Sequence, residues 1–154
     1  AIQEAVAECK EFRAREGKIV EDKFREYIAS IKSGLDQVLE QDLIRMPGIR
    51  ERMKKGLEDI DAGHDENRFE QEMIFYIEKL DISEEKMRLS NHLDYFEETM
   101  KLEQSGKKLG FIGQEIGREI NTLGSKSNHA EMQKLVIGMK DNLEKIKEQV
   151  LNVL

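Results

Sequence analysis

The chain of 154 residues is predicted to be all-helical on three observations. Apolar residues recur at spacings of three and four along most of its length, and alternating strand-like runs are absent. Charged residues make up 37% and apolar residues 38%, with no Trp and one Pro, so apolar side chains must form stripes on amphipathic helices rather than wholly buried segments. The predicted architecture is a long projecting helical hairpin over residues 1–62, followed by a multi-helix bundle over 63–154 whose last helix is heptad-patterned.

Six helical segments follow from the pattern. The first runs from about Ile2 to Arg45, with Val20, Phe24, Tyr27, Ile31, Leu35 and Val38 on one side. At 1.5 Å per residue it extends roughly 65 Å, more than a compact domain needs. Met46-Pro47-Gly48 is expected to break it, because proline lacks the amide donor and disfavours helix in the residue before it. A second helix, Ile49 to Ile60, then returns along the first, and Asp61 to Asp65 forms a turn. The third helix turns Phe69, Met73, Tyr76, Ile77 and Leu80 inward. Asp81 can accept from the first-turn amides of the fourth helix, which reaches about Gln104. The fifth, from about Leu109 to Leu123, buries Leu109, Ile112, Ile116, Ile120 and Leu123. Asn128 and Glu131 have capping-box spacing before the sixth. There Met132, Val136, Met139, Leu143, Ile146, Val150 and Val153 follow strict four-three spacing, the seam of a bundle or coiled coil.

Composition excludes several classes. No stretch of about 18 apolar residues exists, and the N-terminal AIQEAVAECK is not a signal peptide, so no membrane role is expected. A chain that opens on Ala1 rather than Met is expected to have had sequence upstream. The single Cys9 lies in the Ile2, Val6, Cys9, Phe12 stripe and is read as a buried small hydrophobe in a reducing, cytoplasmic setting. A net charge of -7 argues against a broad basic surface for nucleic acid, but Ser105 to Lys126 concentrates Lys107, Lys108, Arg118 and Lys126 against only Glu115 and Glu119. CxxC sets, HExxH, a phosphate-cradling glycine loop and a GxSxG elbow are all missing, which argues against zinc hydrolases, P-loop nucleotidases and serine hydrolases.

Three polar edges border the apolar stripes. On the fifth helix Glu115, Arg118, Glu119 and Thr122 occupy one arc, with Glu119 nearest the core. There a carboxylate needs a metal, a proton or an arginine for compensation, although spacing alone favours the simpler reading of a solvated face with an i,i+3 ion pair. On the third helix Asp65, Arg68 and Glu72 flank Phe69 and Met73. On the fourth, Glu85, Arg88, His92, Tyr95 and Thr99 run along one edge, and His92 is either a core histidine satisfied by a carboxylate or an acid/base group. His64 and His129 are read as solvated. Should the helices form one bundle, these edges can converge on a hard cation such as magnesium or manganese.

The segments DENRFEQE (Asp65 to Glu72), DISEEKMRLSNH (Asp81 to His92), KLGFIGQEIGREINTLGSKS (Lys108 to Ser127) and EKIKEQVLN (Glu144 to Asn152) together resemble the YicC/YloC-like endoribonucleases, also called stress-induced proteins. Arg13, Glu16 and Gly17 match an R-x-x-E-G pattern, and Arg50-Glu51-Arg52 an R-E-R. Gly110, Gly113, Lys147 and Leu151 depart from what is usual there. The resemblance implies a divalent-metal-dependent, RNA-cleaving homo-oligomer, a hexamer-like ring, with an α/β region ahead of the helical half that this chain does not contain. Carried onto these residues, it implies catalytic Glu115, Glu119, His92 and Arg118. It also implies RNA-binding Arg68, Arg88, Lys126 and Asn121, and Glu72, Glu115 and Glu119 as magnesium or manganese ligands. Phe111 and Tyr95 can stack on bases or make oligomer contacts. The rival readings are a helical interaction module and an RNA-binding protein that does not cleave.

Overall fold

The computed structural model describes residues 1–58 and 66–152, and its elements are all α-helices. α1 spans Ile2–Glu58, α2 Glu66–Leu80, α3 Ser83–Thr99, α4 Gly106–Lys126 and α5 Ala130–Val150. The expected turn at Asp61 to Asp65, His64, the boundary at 62/63 and Val153 lie outside the described residues.

The hairpin does not form as expected. α1 continues through Pro47, and residues 49–58 extend it instead of returning alongside it. Proline deprives the Leu43 carbonyl of its helical donor, a local penalty of about 3 kcal/mol. Packing on both sides outweighs it: Arg45 and Ile49 are buried, while Pro47 faces solvent.

α1 packs along α5, α5 along α4, α4 along α3, and α3 back against α1. Contacts along each pair give the directions. On α1, the Phe24 ring meets Phe96 edge-on with centroids 5.3 Å apart, and Lys32 bonds Asp94 at 2.8 Å and Glu97 at 3.0 Å. Arg45 then reaches the Leu80 carbonyl, just ahead of α3, so α1 and α3 are antiparallel. On α4, Gly110, Gly117 and Gly124 lie against Val150, Leu143 and Val136 of α5 in turn, which makes that pair antiparallel too. The result is an up-down-up-down bundle around one core. Phe24, Ile28, Ile31, Leu35 and Val38 of α1 share it with Leu89, Leu93 and Phe96 of α3 and with the buried stripes of α4 and α5. Burying each large apolar side chain contributes about 1.5–3 kcal/mol. The middle of α1 is thus a wall of the bundle rather than part of a separate hairpin.

Residues 1–19 are exposed throughout, but Phe12, Arg13, Glu16 and Gly17 still line a cleft with Met100, Leu109, Gln149 and Asn152, so the part clear of the bundle is roughly the first eleven residues, about 16 Å. Cys9 is therefore exposed rather than buried, because nothing in the described residues covers the Ile2, Val6, Phe12 stripe. α2 lies to one side against α1 and buries only Met73; Phe69, Ile77 and Leu80 are half-buried and Tyr76 is exposed. Among the described residues no helix is long and apolar enough to cross a membrane.

The helix ends are closed by few groups. Asp81 accepts from the Ser83 amide at 3.1 Å and hydroxyl at 2.6 Å, as its spacing predicts. The Asn128/Glu131 box does not form: α4 runs on to Lys126, and α5 starts after an extended His129 with no side-chain cap. Gln133 closes that turn instead, donating to the Gly124 and Ser127 carbonyls. Arg45 joins three helices. Its guanidinium donates to Asp42 at 2.9 Å, to the Lys126 carbonyl at 2.8 Å and to the Leu80 carbonyl at 2.7 Å, so one buried cation satisfies the C-terminal ends of α2 and α4.

Arg45→Met leaves two helix-end carbonyls and Asp42 without this donor. It should lower unfolding stability by about 3 kcal/mol in urea titrations, and a loss below 1 kcal/mol would contradict the clamp. A Cβ at Gly34 would lie 2.8 Å from Met139 Cγ, so Gly34→Leu should cost about 1–3 kcal/mol by the same assay. Hydrogen bonds from Ser83 hold the Asp81 carboxyl below its usual 3.8, assisted by Lys126 and Arg45. A depressed acid stabilises fully above its unfolded value and loses that contribution as pH falls through the folded one. Asp81→Asn should therefore flatten the stability profile below about pH 4.

Candidate functional site

The antiparallel seam between α3 and α4 brings together two of the three polar edges. Two contacts mark its ends. Lys126 Nζ lies 2.8 Å from Glu85 Oε1, and Lys108 Nζ lies 4.9 Å from the centre of the Tyr95 ring. Seven residues advance a helix by about two turns, so the α3 and α4 positions that face each other recur in matched steps. Glu119 lies two turns before Lys126 and His92 two turns after Glu85, so both belong to the sides of α4 and α3 that meet along this seam, with Thr99 two turns beyond His92. No hydrogen bond joins His92 to Glu119.

The environments differ sharply along this line. Glu85 is buried; one carboxylate oxygen takes the Lys126 ammonium, and the other has no partner among the described residues. Thr99 Oγ1 is likewise buried and unpaired. Glu119 is only 5% exposed, and among the described residues no hydrogen bond or ion pair engages it. His92 is half-buried and equally uncommitted. Toward solvent, Glu115 lies 4.0 Å from Arg118, whose side chain is 73% exposed. That is the i,i+3 pair the spacing predicts, at a distance where it is weak. Arg88 is exposed and pairs loosely with Glu84 at 3.4 Å, while Asn121 is exposed on α4.

Lys126 is therefore not a free phosphate contact. Its ammonium neutralises a buried carboxylate, and removing it would leave Glu85 charged and unpaired. The sequence signal for this was Glu85 on the apolar edge of its helix, where an acid requires a cation. Arg45 and Asp42, which support the same end of the seam, were not singled out. Their i,i+3 spacing resembles any surface ion pair, and burial alone distinguishes them. His129, read as solvated, is half-buried with Nδ1 enclosed and unpartnered.

The third polar edge does not join the seam. Arg68 and Glu72 are exposed on α2 beside Asn67, Gln71 and Phe75, and α2 packs on α1. Asp65 lies outside the described residues. Among the described residues no three His, Cys, Asp or Glu side chains gather so as to hold a metal ion. Glu72, Glu115 and Glu119 thus do not form a magnesium or manganese cage within this chain. The physical reason is that Glu119 points into the bundle, Glu115 lies at its margin, and Glu72 belongs to a helix on another side.

Comparison with known proteins agrees with the resemblance. The family described as endoribonuclease YicC-like, C-terminal, matches residues 38–154. A protein of Clostridioides difficile (strain 630) named "Probable endoribonuclease YicC" is 31% identical over 157 residues, covering 99% of this chain and 54% of that protein. One of the same name from Haemophilus influenzae is 32% identical over 154 residues, again covering 99% of this chain and 54% of the relative. The chain spans about half the length of these curated relatives. With the family matched across most of its length, including all of α2 to α5, the chain belongs to the endoribonuclease YicC-like family and carries its C-terminal domain.

Proposed function

We propose that this chain is the C-terminal helical part of an endoribonuclease and that RNA is cleaved along the α3/α4 seam. The observation that carries this reading is a half-buried imidazole on α3 and a carboxylate only 5% exposed on the side of α4 that meets it, with an accessible carboxylate and guanidinium one turn away. Phosphodiester hydrolysis requires an attacking oxygen to lose a proton and the departing oxygen to gain one. Glu115, at the solvent margin, accepts the first proton. His92, as imidazolium, delivers the second. Glu119, on the side of α4 that meets α3, is a positioning residue for this seam. Arg118 binds the non-bridging phosphate oxygens as charge builds on them, with Arg88 and Asn121 extending the grip on the same two helices. Arg68 on α2 adds an outlying RNA contact.

No step here passes through magnesium or manganese, because the described residues of this chain do not gather their ligands. A metal-dependent reaction would draw those ligands from the rest of the longer protein or from a second copy. Assembly into a ring-like homo-oligomer belongs to the same proposal. It is supported by the uncovered stripe on the N-terminal part of α1, where Ile2, Val6 and Phe12 are 83%, 49% and 64% exposed. That stripe also favours the interaction-module reading if cleavage is absent.

His92→Gln and Glu115→Gln in the full-length protein should each reduce cleavage of a structured RNA about 100-fold or more, with thermal melts unchanged. Full activity in both variants would refute the seam as the active site. Lys126→Met should behave differently, losing about 3 kcal/mol of stability because Glu85 is stranded.

A further inference from the structure

The outer face of α4 continues the row of Arg118 and Asn121 with further groups open to solvent. At 100° per residue, Lys107, Phe111, Gln114, Arg118, Asn121 and Ser125 fall within an arc of roughly 80°, and all are exposed. Phe111 is 65% exposed in the middle of an otherwise polar stripe, so its ring is not part of the core. A shallow surface depression joins it to Lys107, Lys108, Gln114 and the turn residue Gln104. Gln104 is the one described non-glycine residue with positive φ, at 53°. This face carries Lys107, Lys108 and Arg118 against the single acid Glu115, in a chain whose net charge is -7. Three cations thus lie around an exposed aromatic ring on an acidic protein, a combination that complements a phosphate backbone with accessible bases. Unlike Phe111, the Tyr95 ring already has an ammonium, that of Lys108, over it.

We propose that the outer face of α4 is a track for single-stranded RNA. Phe111 stacks on a base, while Lys107, one turn before it, and Arg118, two turns after it, contact phosphates on either side. Phe111 and Arg118 are about 10.5 Å apart along the helix axis, so the track leads from the stacked base to the arginine of the cleavage site. This places the stacked nucleotide a short way along the strand from the scissile phosphate. It rests on the proposed function, since it specifies how that site would select its substrate. In a duplex the bases are stacked on one another and closed to a side-chain ring, so the track discriminates by strandedness rather than by sequence.

The test measures binding of the full-length protein to a labelled single-stranded RNA and to its matched duplex by fluorescence anisotropy. Phe111→Ala is expected to weaken single-strand binding about tenfold with little effect on duplex, and Phe111→Trp to retain it. Lys107→Ala should lower the salt dependence of single-strand binding by about one counterion. Because Phe111 is exposed, the Ala variant should keep its helical circular dichroism, and that measurement is made in parallel. Unchanged affinity in Phe111→Ala overturns the track, as does an equal loss for both RNAs. A change of oligomeric state on sedimentation also overturns it, by identifying the face as a contact between copies. The two readings fail separately. Cleavage that persists with unaltered binding in Phe111→Ala rejects the track alone, whereas stacking-dependent binding by a wild-type protein that never cleaves supports the track and rejects the nuclease.

Discussion

One buried guanidinium holds the working end of this bundle. Arg45 sits two residues before a proline, in a helix that local preference would end, and donates to two helix-end carbonyls and one carboxylate. The carbonyl groups at a helix end need donors, and a buried end without them is costly. By serving α2 and α4 from α1, Arg45 fixes where both terminate relative to the long helix. α3 then starts immediately after the Asp81–Ser83 hydrogen bonds, and its first buried acid, Glu85, meets Lys126 at the last turn of α4. The clamp and the ion pair share Lys126: its carbonyl goes to one and its ammonium to the other.

The α3/α4 register follows from that anchor. The ion pair fixes one end of this antiparallel seam, and the Lys108–Tyr95 contact fixes the other. His92 and Glu119 are brought to the same seam by this packing rather than by any bond between them. This separates structural from chemical polar groups. Lys126 is committed to one oxygen of Glu85, whereas among the described residues no hydrogen bond or ion pair engages His92 or Glu119 and Glu115 makes only the 4.0 Å pair with Arg118, so these three have capacity to spare. Residues with that capacity are where acid/base chemistry can take place. The solvent face of α4, with Phe111 and its cations, continues outward from the same helix, so binding and chemistry would share one rigid element.

The polar edge of α2 shows how similar patterns diverge. Arg68 and Glu72 repeat the acid-plus-arginine spacing of α4, yet α2 packs beside α1 and leaves them in solvent. Identical helical periodicity therefore produces a buried carboxylate in one case and an exposed one in the other. The expected metal set combined both edges and was incomplete for that reason.

Much of this architecture is legible in the order of residues alone. Helical class, the α4 and α5 core stripes and the Asp81 cap depend on interactions within a few residues, which spacing reports directly. The arc of Glu115, Arg118 and Glu119 and the family motifs were readable for the same reason. Long-range packing settled the rest. Pro47 stays helical because Arg45 and Ile49 are buried on both sides of it, and Cys9 is exposed because its helix outruns the bundle. Lys126 became an internal counterion because of an acid 41 residues away in the chain. Periodicity states which face of a helix is apolar, but not which helix will meet it. Burial, charge pairing and register arise only when those partners are chosen.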